Sequence, residues 1–174
     1  MPKPRDYIEI VLQPGEFYLG DAATRLRTLL GSCVALTMWH PQRRLGAMSH
    51  FMLPSRATEA RDCLDGRYGE ESILMFLAAA KKHDTDPKDY QIKLFGGGNM
   101  FPHVDVSKGL QVGARNVARA RERLAKSGLT MVAEHSGETG HRIVMLDNWS
   151  GRVWLKHAPI TLNSAPPGIN KAAA

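Results

Sequence analysis

Residues 34–53 read VALTMWHPQRRLGAMSHFML, two apolar runs around a polar turn that contains a proline. The first run, VALTMW at 34–39, is apolar and β-branched enough for a buried strand. His40-Pro41-Gln42-Arg43 makes the turn, with Pro41 fixing φ. The second run, LGAMSHFML at 45–53, reads as the returning strand, stopped by Pro54. This hairpin constrains the chain more than any other stretch. It also decides which residues can meet. Cys33 immediately precedes the first strand and His50 sits in the second, so pairing lets them approach across a separation of seventeen positions.

Around the hairpin the reading is mixed. YIEIVL at 7–12 and EFYL at 16–19 read as short strands separated by a Pro14-Gly15 turn. Residues 26–30 lead into Gly31-Ser32-Cys33. Residues 55–69 form a polar loop holding Cys63. EESILMFLAAAKKH at 70–83 is the clearest helix, with Ile73, Leu74, Leu77 and Ala80 at helical spacing and charges that match the helix dipole. YQIKLF at 90–95 reads as a strand running into Gly96-Gly97-Gly98, followed by an irregular stretch over 99–112. ARNVARARERLAKS at 114–127 forms a second helix with a narrow stripe of Val117, Ala120 and Leu124, closed by Gly128. Residues 129–134, 142–146 and 152–156 alternate like strands. The order predicts one mixed α/β domain over 1–163, of the α+β type, and a disordered tail over 164–174.

Composition narrows the class. The chain has 174 residues, 43% hydrophobic and 23% charged, as in a soluble globular protein. No apolar run approaches the ~20 residues needed to span a bilayer, and MPKPRDYIEI lacks an apolar leader segment. A cytoplasmic location without membrane insertion is the expectation. Two cysteines are too few for a disulfide scaffold. No Cys-x-x-Cys or His-x-x-x-His pair occurs, so no metal site is expected.

Two readings of Cys33 and His50 stand side by side. A cysteine between Ser32 and Val34, before an apolar strand, suits a packed thiol, and His50 suits a hydrogen-bonded core residue. The same pair suits a thiol nucleophile and its imidazole base. Gly31 permits close approach, and Gly31, Ser32 and Cys33 could offer backbone N–H groups to a developing oxyanion. The glycines at 96–98 either bring backbone against a substrate or the catalytic strand, or make a tight turn. Asn99 either bonds a substrate amide or caps that turn. Arg115 and Asn116 suit a helix start. Ser49 points to the sheet face opposite His50.

The ordered blocks LGSCVAL (30–36), LGAMSHFMLP (45–54), KLFGGGNMF (93–101), VGARNV (112–117) and AEHSGETGHR (133–142) resemble the CheD family of chemoreceptor glutamine deamidases. That resemblance implies hydrolysis of selected glutamine side-chain amides on bacterial chemoreceptors, giving glutamate and ammonia in chemotaxis adaptation. It makes Cys33 the nucleophile and His50 the general base, working through a thioester. It implies a sandwich similar to the catalytic domain of the deamidating cytotoxic necrotizing factor toxins, with no metal or organic cofactor. The family's third catalytic member is a threonine, commonly six residues before the cysteine. Here that place holds Arg27, and Thr28 stands five before. On one extended strand Thr28 would face away, so its part requires a local shift; otherwise a carbonyl or another group orients His50. The remaining site candidates are Gly31, Ser32, Gly96, Gly97, Gly98 and Asn99. Methylesterase activity would use the same intermediate.

Partners follow from the same reading. Chemoreceptors are the protein substrate, and the resemblance allows a CheC-type phosphatase as a second partner, or a purely regulatory role. Retention of Cys33 and His50 argues against regulation alone. The formal charge of +6 suits an acidic partner. Arg115, Arg119, Arg123 and Lys126 line one face of the second helix, but Glu122 interrupts it and no nucleic-acid motif accompanies it. No nucleic-acid partner is expected, and the basic row becomes a candidate receptor-facing surface. A monomer is the simplest expectation.

Overall fold

The computed structural model describes residues 2–56, 63–102 and 111–160. Among these residues nine strands and two α-helices follow one another as β1 (Ile8–Val11), β2 (Phe17–Gly20), β3 (Thr24–Leu30), β4 (Val34–Trp39), β5 (Gly46–Phe51), α1 (Gly69–Lys82), β6 (Gln91–Gly96), α2 (Val112–Lys126), β7 (Met131–Ser136), β8 (His141–Asp147) and β9 (Arg152–Ala158). They build two sheets, one ordered β2-β5-β4-β6-β7 and the other β1-β3-β8-β9. The expected 164–174 tail, residues 57–62 of the loop that holds Cys63 and residues 103–110 of the irregular stretch lie outside the described residues.

The hairpin forms as expected, with Val34 opposite Phe51 and Trp39 opposite Gly46. It lies at the centre of three layers. Val34, Leu36, Met38, Ala47 and Phe51 pack with Ile73 and Phe76 of α1 and Val117 and Leu124 of α2. Ala35 and Met48 pack instead with Leu26 and Leu30 of β3 and Val144 and Leu146 of β8. A strand covered on both faces needs no polar alternation, which is why VALTMW reads as a continuous apolar run.

The connection after residue 24 differs from the sequence expectation. Thr24–Leu30 is a full strand, with Leu26, Thr28 and Leu30 buried while Arg25 and Arg27 sit on the outer side. It belongs to the four-stranded sheet, whereas β4 belongs to the five-stranded one. Side-chain parity is a property of one strand and does not carry across the Gly31–Cys33 crossing. The five-residue spacing therefore does not turn Thr28 away.

Two further expectations change. Helix α2 begins at Val112, so Asn116 lies inside it rather than starting it; fully buried, it donates from Nδ2 to the Met52 carbonyl at 2.8 Å. Two of the four basic residues of the row on α2 are ion-paired: Arg119 meets Glu70 at 2.8 Å and Glu122 at 2.6 Å, and Lys126 meets Glu122 at 2.7 Å. Arg119 thus ties α2 to α1, and reversing its charge would disturb that tie as well as any docking surface.

The far end of the sandwich is pinned by Asn148. Its buried Nδ2 faces the carbonyls of Gly20 (3.1 Å), Asp21 (3.0 Å) and Gly46 (3.3 Å), spanning both sheets. Asn148→Ala leaves these carbonyls short of a donor in a dry environment, and is expected to cost about 2–3 kcal/mol. Urea denaturation checks this; a loss below ~0.5 kcal/mol would show that the carbonyls find other partners.

Candidate active site at the seam of the two sheets

His50 is placed by pairing. It lies directly across from Ala35 on β4, and Ala35 faces the inter-sheet core. Its backbone is held from the other side, with His50 N donating to Glu16 O at 2.9 Å and Gly15 N donating to His50 O at 2.7 Å. Ser49 is fully buried on the opposite face, as alternation predicts.

Thr28 reaches His50 from the other sheet. Its Oγ1 lies 2.8 Å from His50 Nδ1 and donates to the Leu12 carbonyl at 2.9 Å. A hydroxyl has one hydrogen, and a carbonyl oxygen can only accept. With the Thr28 hydrogen on Leu12 O, Nδ1 must carry the ring hydrogen and donate to Oγ1. Nε2 is then the free lone pair. It is buried and has no hydrogen-bond partner among the described residues. Thr28 and His50 are 1% and 2% exposed. Burial pushes the His50 imidazole below its ordinary 6.5, against the upward pull of the Leu12 carbonyl and the Glu16 carboxylate.

Cys33 is half-buried at the edge of the same inter-sheet core, two residues before Ala35. Burial alone pushes its thiol pKa up. The turn that carries it is clasped by the glycine tract. Gly97 N donates to Cys33 O at 2.8 Å, and Gly98 N donates to Gly31 O at 3.0 Å. A Cβ on Gly96, at φ +109°, would stand 2.3 Å from Cys33 O. One on Gly97 would stand 2.9 Å from Gly113 O, at the start of α2. The glycines thus bring backbone against the cysteine turn from one side and α2 from the other. The amides of Gly97 and Gly98 serve the clasp. Asn99 is exposed and accepts from Phe101 N at 2.9 Å through Oδ1, which is the turn-capping arrangement.

Beside this turn opens a cavity of about 340 Å³ whose walls include Ser32, Gly98, Met100, Phe101, Val112 and Glu138. The candidate residues therefore divide. Thr28 and His50 touch; Cys33 shares their inter-sheet side; Gly96 braces; Ser32, Gly97, Gly98 and Asn99 reach the cavity.

Sequence reasoning missed Arg142. It is fully buried, donates from Nε to His135 Nδ1 at 3.0 Å and from Nη2 to Gly137 O at 2.5 Å, and packs behind Gly98. Burial lowers its pKa, with Glu138 opposing that. Its signals are its place at the end of AEHSGETGHR and in HRIVMLD, in phase with Val144 and Leu146. Around it, His135, Glu138 and His157 bring ligand-type atoms within 4.8 Å of one another. Here His135 Nδ1 already accepts from Arg142, and the guanidinium stands 3.9 Å from the Glu138 carboxylate. His157 meets the same carboxylate at 3.2 Å. The arrangement is an ion-pair network with its positive charge already in place. It braces the 137–140 turn, whose Glu138 O accepts from Asn99 N.

A family model described as CheD chemotactic sensory transduction matches residues 52–157. A protein of Pseudomonas syringae pv. tomato named probable chemoreceptor glutamine deamidase CheD is 50% identical over 161 residues, covering 92% of this chain and 95% of that one. A Pseudomonas fluorescens protein of the same name is 45% identical over 163 residues, covering 93% and 92%. One from Leptospira interrogans, named probable chemoreceptor glutamine deamidase CheD 1, is 35% identical over 161 residues, covering 88% and 95%. The first of these alignments leaves too few residues outside it to omit the segment from Thr28 to His50. This chain belongs to the CheD family.

Proposed function

We propose that the protein hydrolyses the side-chain amide of glutamines on chemoreceptors, releasing ammonia and leaving glutamate. The observation that carries this is the imidazole of His50, bonded to Thr28 at Nδ1 and left with a buried, unpartnered Nε2, in the layer between the sheets against which Cys33 also packs. The relatives named as chemoreceptor glutamine deamidases supply the substrate class.

Burial raises the thiol and lowers the imidazole. The resting pair is therefore neutral thiol and neutral imidazole, and the proton moves as the bond forms. Cys33 Sγ attacks the glutamine Cδ while His50 Nε2 takes the thiol proton. The carbonyl oxygen becomes an oxyanion, held by backbone N–H groups of Ser32 and Cys33. His50 passes its proton to the departing nitrogen, and ammonia leaves a thioester. Water then attacks, His50 takes its proton, and thiol and glutamate are released. Every step is acyl transfer by the chain's own residues, with no cofactor in the scheme. Thr28 accepts from Nδ1–H throughout, most strongly when the ring is charged. A fold like that of the deamidating necrotizing factor toxins and a cytoplasmic location belong to the same reading. Among the described residues no helix is long and apolar enough to cross a membrane. Nothing in the site geometry favours a CheC-type phosphatase over a chemoreceptor as the partner.

Ammonia release from a purified chemoreceptor, with mass spectrometry of its glutamines, tests this directly. Cys33→Ala should abolish release, and His50→Ala should lower kcat/KM by about 10²–10⁴-fold. Retention of full activity in Cys33→Ala would overturn the assignment. Thr28→Val should lower kcat by about tenfold or more, with Thr28→Ser restoring most of it, since only the hydroxyl is required. Equal loss in both would mean that the methyl packing matters and the hydrogen bond does not.

The pH dependence has a definite sign. His50 must be neutral to act as base, and its pKa is lowered, so the acid limb of kcat/KM should inflect below 6.5. Cys33 is raised, so its alkylation by iodoacetamide should be slow at neutral pH and climb only above the ordinary thiol value of 9.0. A high alkylation rate at pH 7 would instead reveal a thiolate–imidazolium pair at rest.

A further inference from the structure

A polypeptide that presents a glutamine to Cys33 cannot present that side chain alone. Its adjoining residues lie over whatever borders the nucleophile turn. One border is the cavity of about 340 Å³ that shares Ser32 with the turn and continues over Gly98 to Phe101. Its apolar lining includes Met100, Phe101 and Val112. Met100 lies on the turn itself, since a Cβ on Gly31 would stand 3.1 Å from Met100 Sδ.

Phe101 is 70% exposed. A single exposed phenylalanine on a protein surface needs no explanation. This one stands on the wall of a cavity that opens beside the nucleophile, on a turn fixed by Phe101 N donating to Asn99 Oδ1. Among the described residues its ring makes no aromatic or cation–π contact. Among the described residues the cavity wall carries no basic side chain, and its one carboxylate there, Glu138, is already engaged by His157 at 3.2 Å and Arg142 at 3.9 Å. A charged substrate side chain entering here would lose water without gaining a counter-charge. An apolar one would cover Phe101 and Met100.

We infer that this cavity is a substrate subsite, which takes an apolar side chain of the chemoreceptor flanking the target glutamine, with Phe101 as its specificity-determining wall. The inference rests on the deamidase reading. The geometry places the subsite outside the bond-making atoms, so it sets which glutamine is captured and leaves proton transfer to Cys33 and His50.

The test compares wild type with Phe101→Ala and Phe101→Glu on a purified chemoreceptor cytoplasmic domain, following ammonia release, with iodoacetamide alkylation of Cys33 in parallel. Phe101→Ala should raise KM by about five- to tenfold with kcat changed less than twofold, and Phe101→Glu should raise it further. Cys33 alkylation should be the same in all three proteins, because the small reagent does not use the subsite. A KM within twofold of wild type in Phe101→Ala overturns this inference alone. A fall in kcat with unchanged KM also overturns it, by placing Phe101 in the chemistry. A wild-type protein that releases no ammonia from the receptor overturns the deamidase reading and the subsite with it.

Discussion

The chain leaves one sheet at Leu30 and enters the other at Val34, and that short crossing governs the molecule. A crossing of three residues leaves no room for independent loop structure. Its carbonyls at Gly31 and Cys33 are taken by the amides of Gly98 and Gly97, so the two sheets and the glycine tract meet in one backbone clasp. The consequences follow in sequence. Cys33 is fixed at the seam, β3 is delivered to the facing sheet with Thr28 inward, and β4 becomes a central strand covered on both sides. Thr28 and His50, on different sheets, then meet across the interface that the crossing creates.

Burial at this seam has opposite effects on its two titratable groups. Both are pushed toward their neutral forms, the thiol upward and the imidazole downward. In the proposed reaction a preformed ion pair is thereby disfavoured, and charge develops as the amide carbonyl is attacked. Thr28 is suited to that timing: its hydroxyl is a neutral acceptor, which orients the ring without drawing a proton onto it beforehand. A carboxylate in the same place would raise the imidazole and alter the resting state.

Much of this was legible from the residues, for identifiable reasons. The 34–53 hairpin and the helix around 70–83 stand out because packing and local preference agree there. Strand β3 was read only as a lead-in because Thr24, Arg25, Arg27 and Thr28 dilute its apolar content, though Leu26 and Leu30 are in phase with Thr28. The position of Thr28 relative to Cys33 could not be settled by counting, since parity fails where a chain changes sheets. Asn116 sits inside α2 because its partner, the Met52 carbonyl, comes from a distant part of the chain. Arg142 escaped notice because a fully buried guanidinium contradicts the usual pattern, and its partners His135 and Gly137 become visible only once β7 and β8 are placed.

The crowding at Gly96, Gly97 and Gly113 also bears on how such a protein can diverge. An added methyl at any of the three would meet another backbone at under 3 Å, so that seam admits almost no variation in side chain. In the 99–101 turn Asn99 caps the backbone and Met100 lies against Gly31, but Phe101, 70% exposed, is under no such restriction. On the proposed reading, chemistry and selectivity are carried by separate parts of the chain. A lineage facing a new set of receptors can retune the rim by point substitution while the bond-breaking apparatus stays intact, and an engineer wishing to redirect the activity would start from the same division.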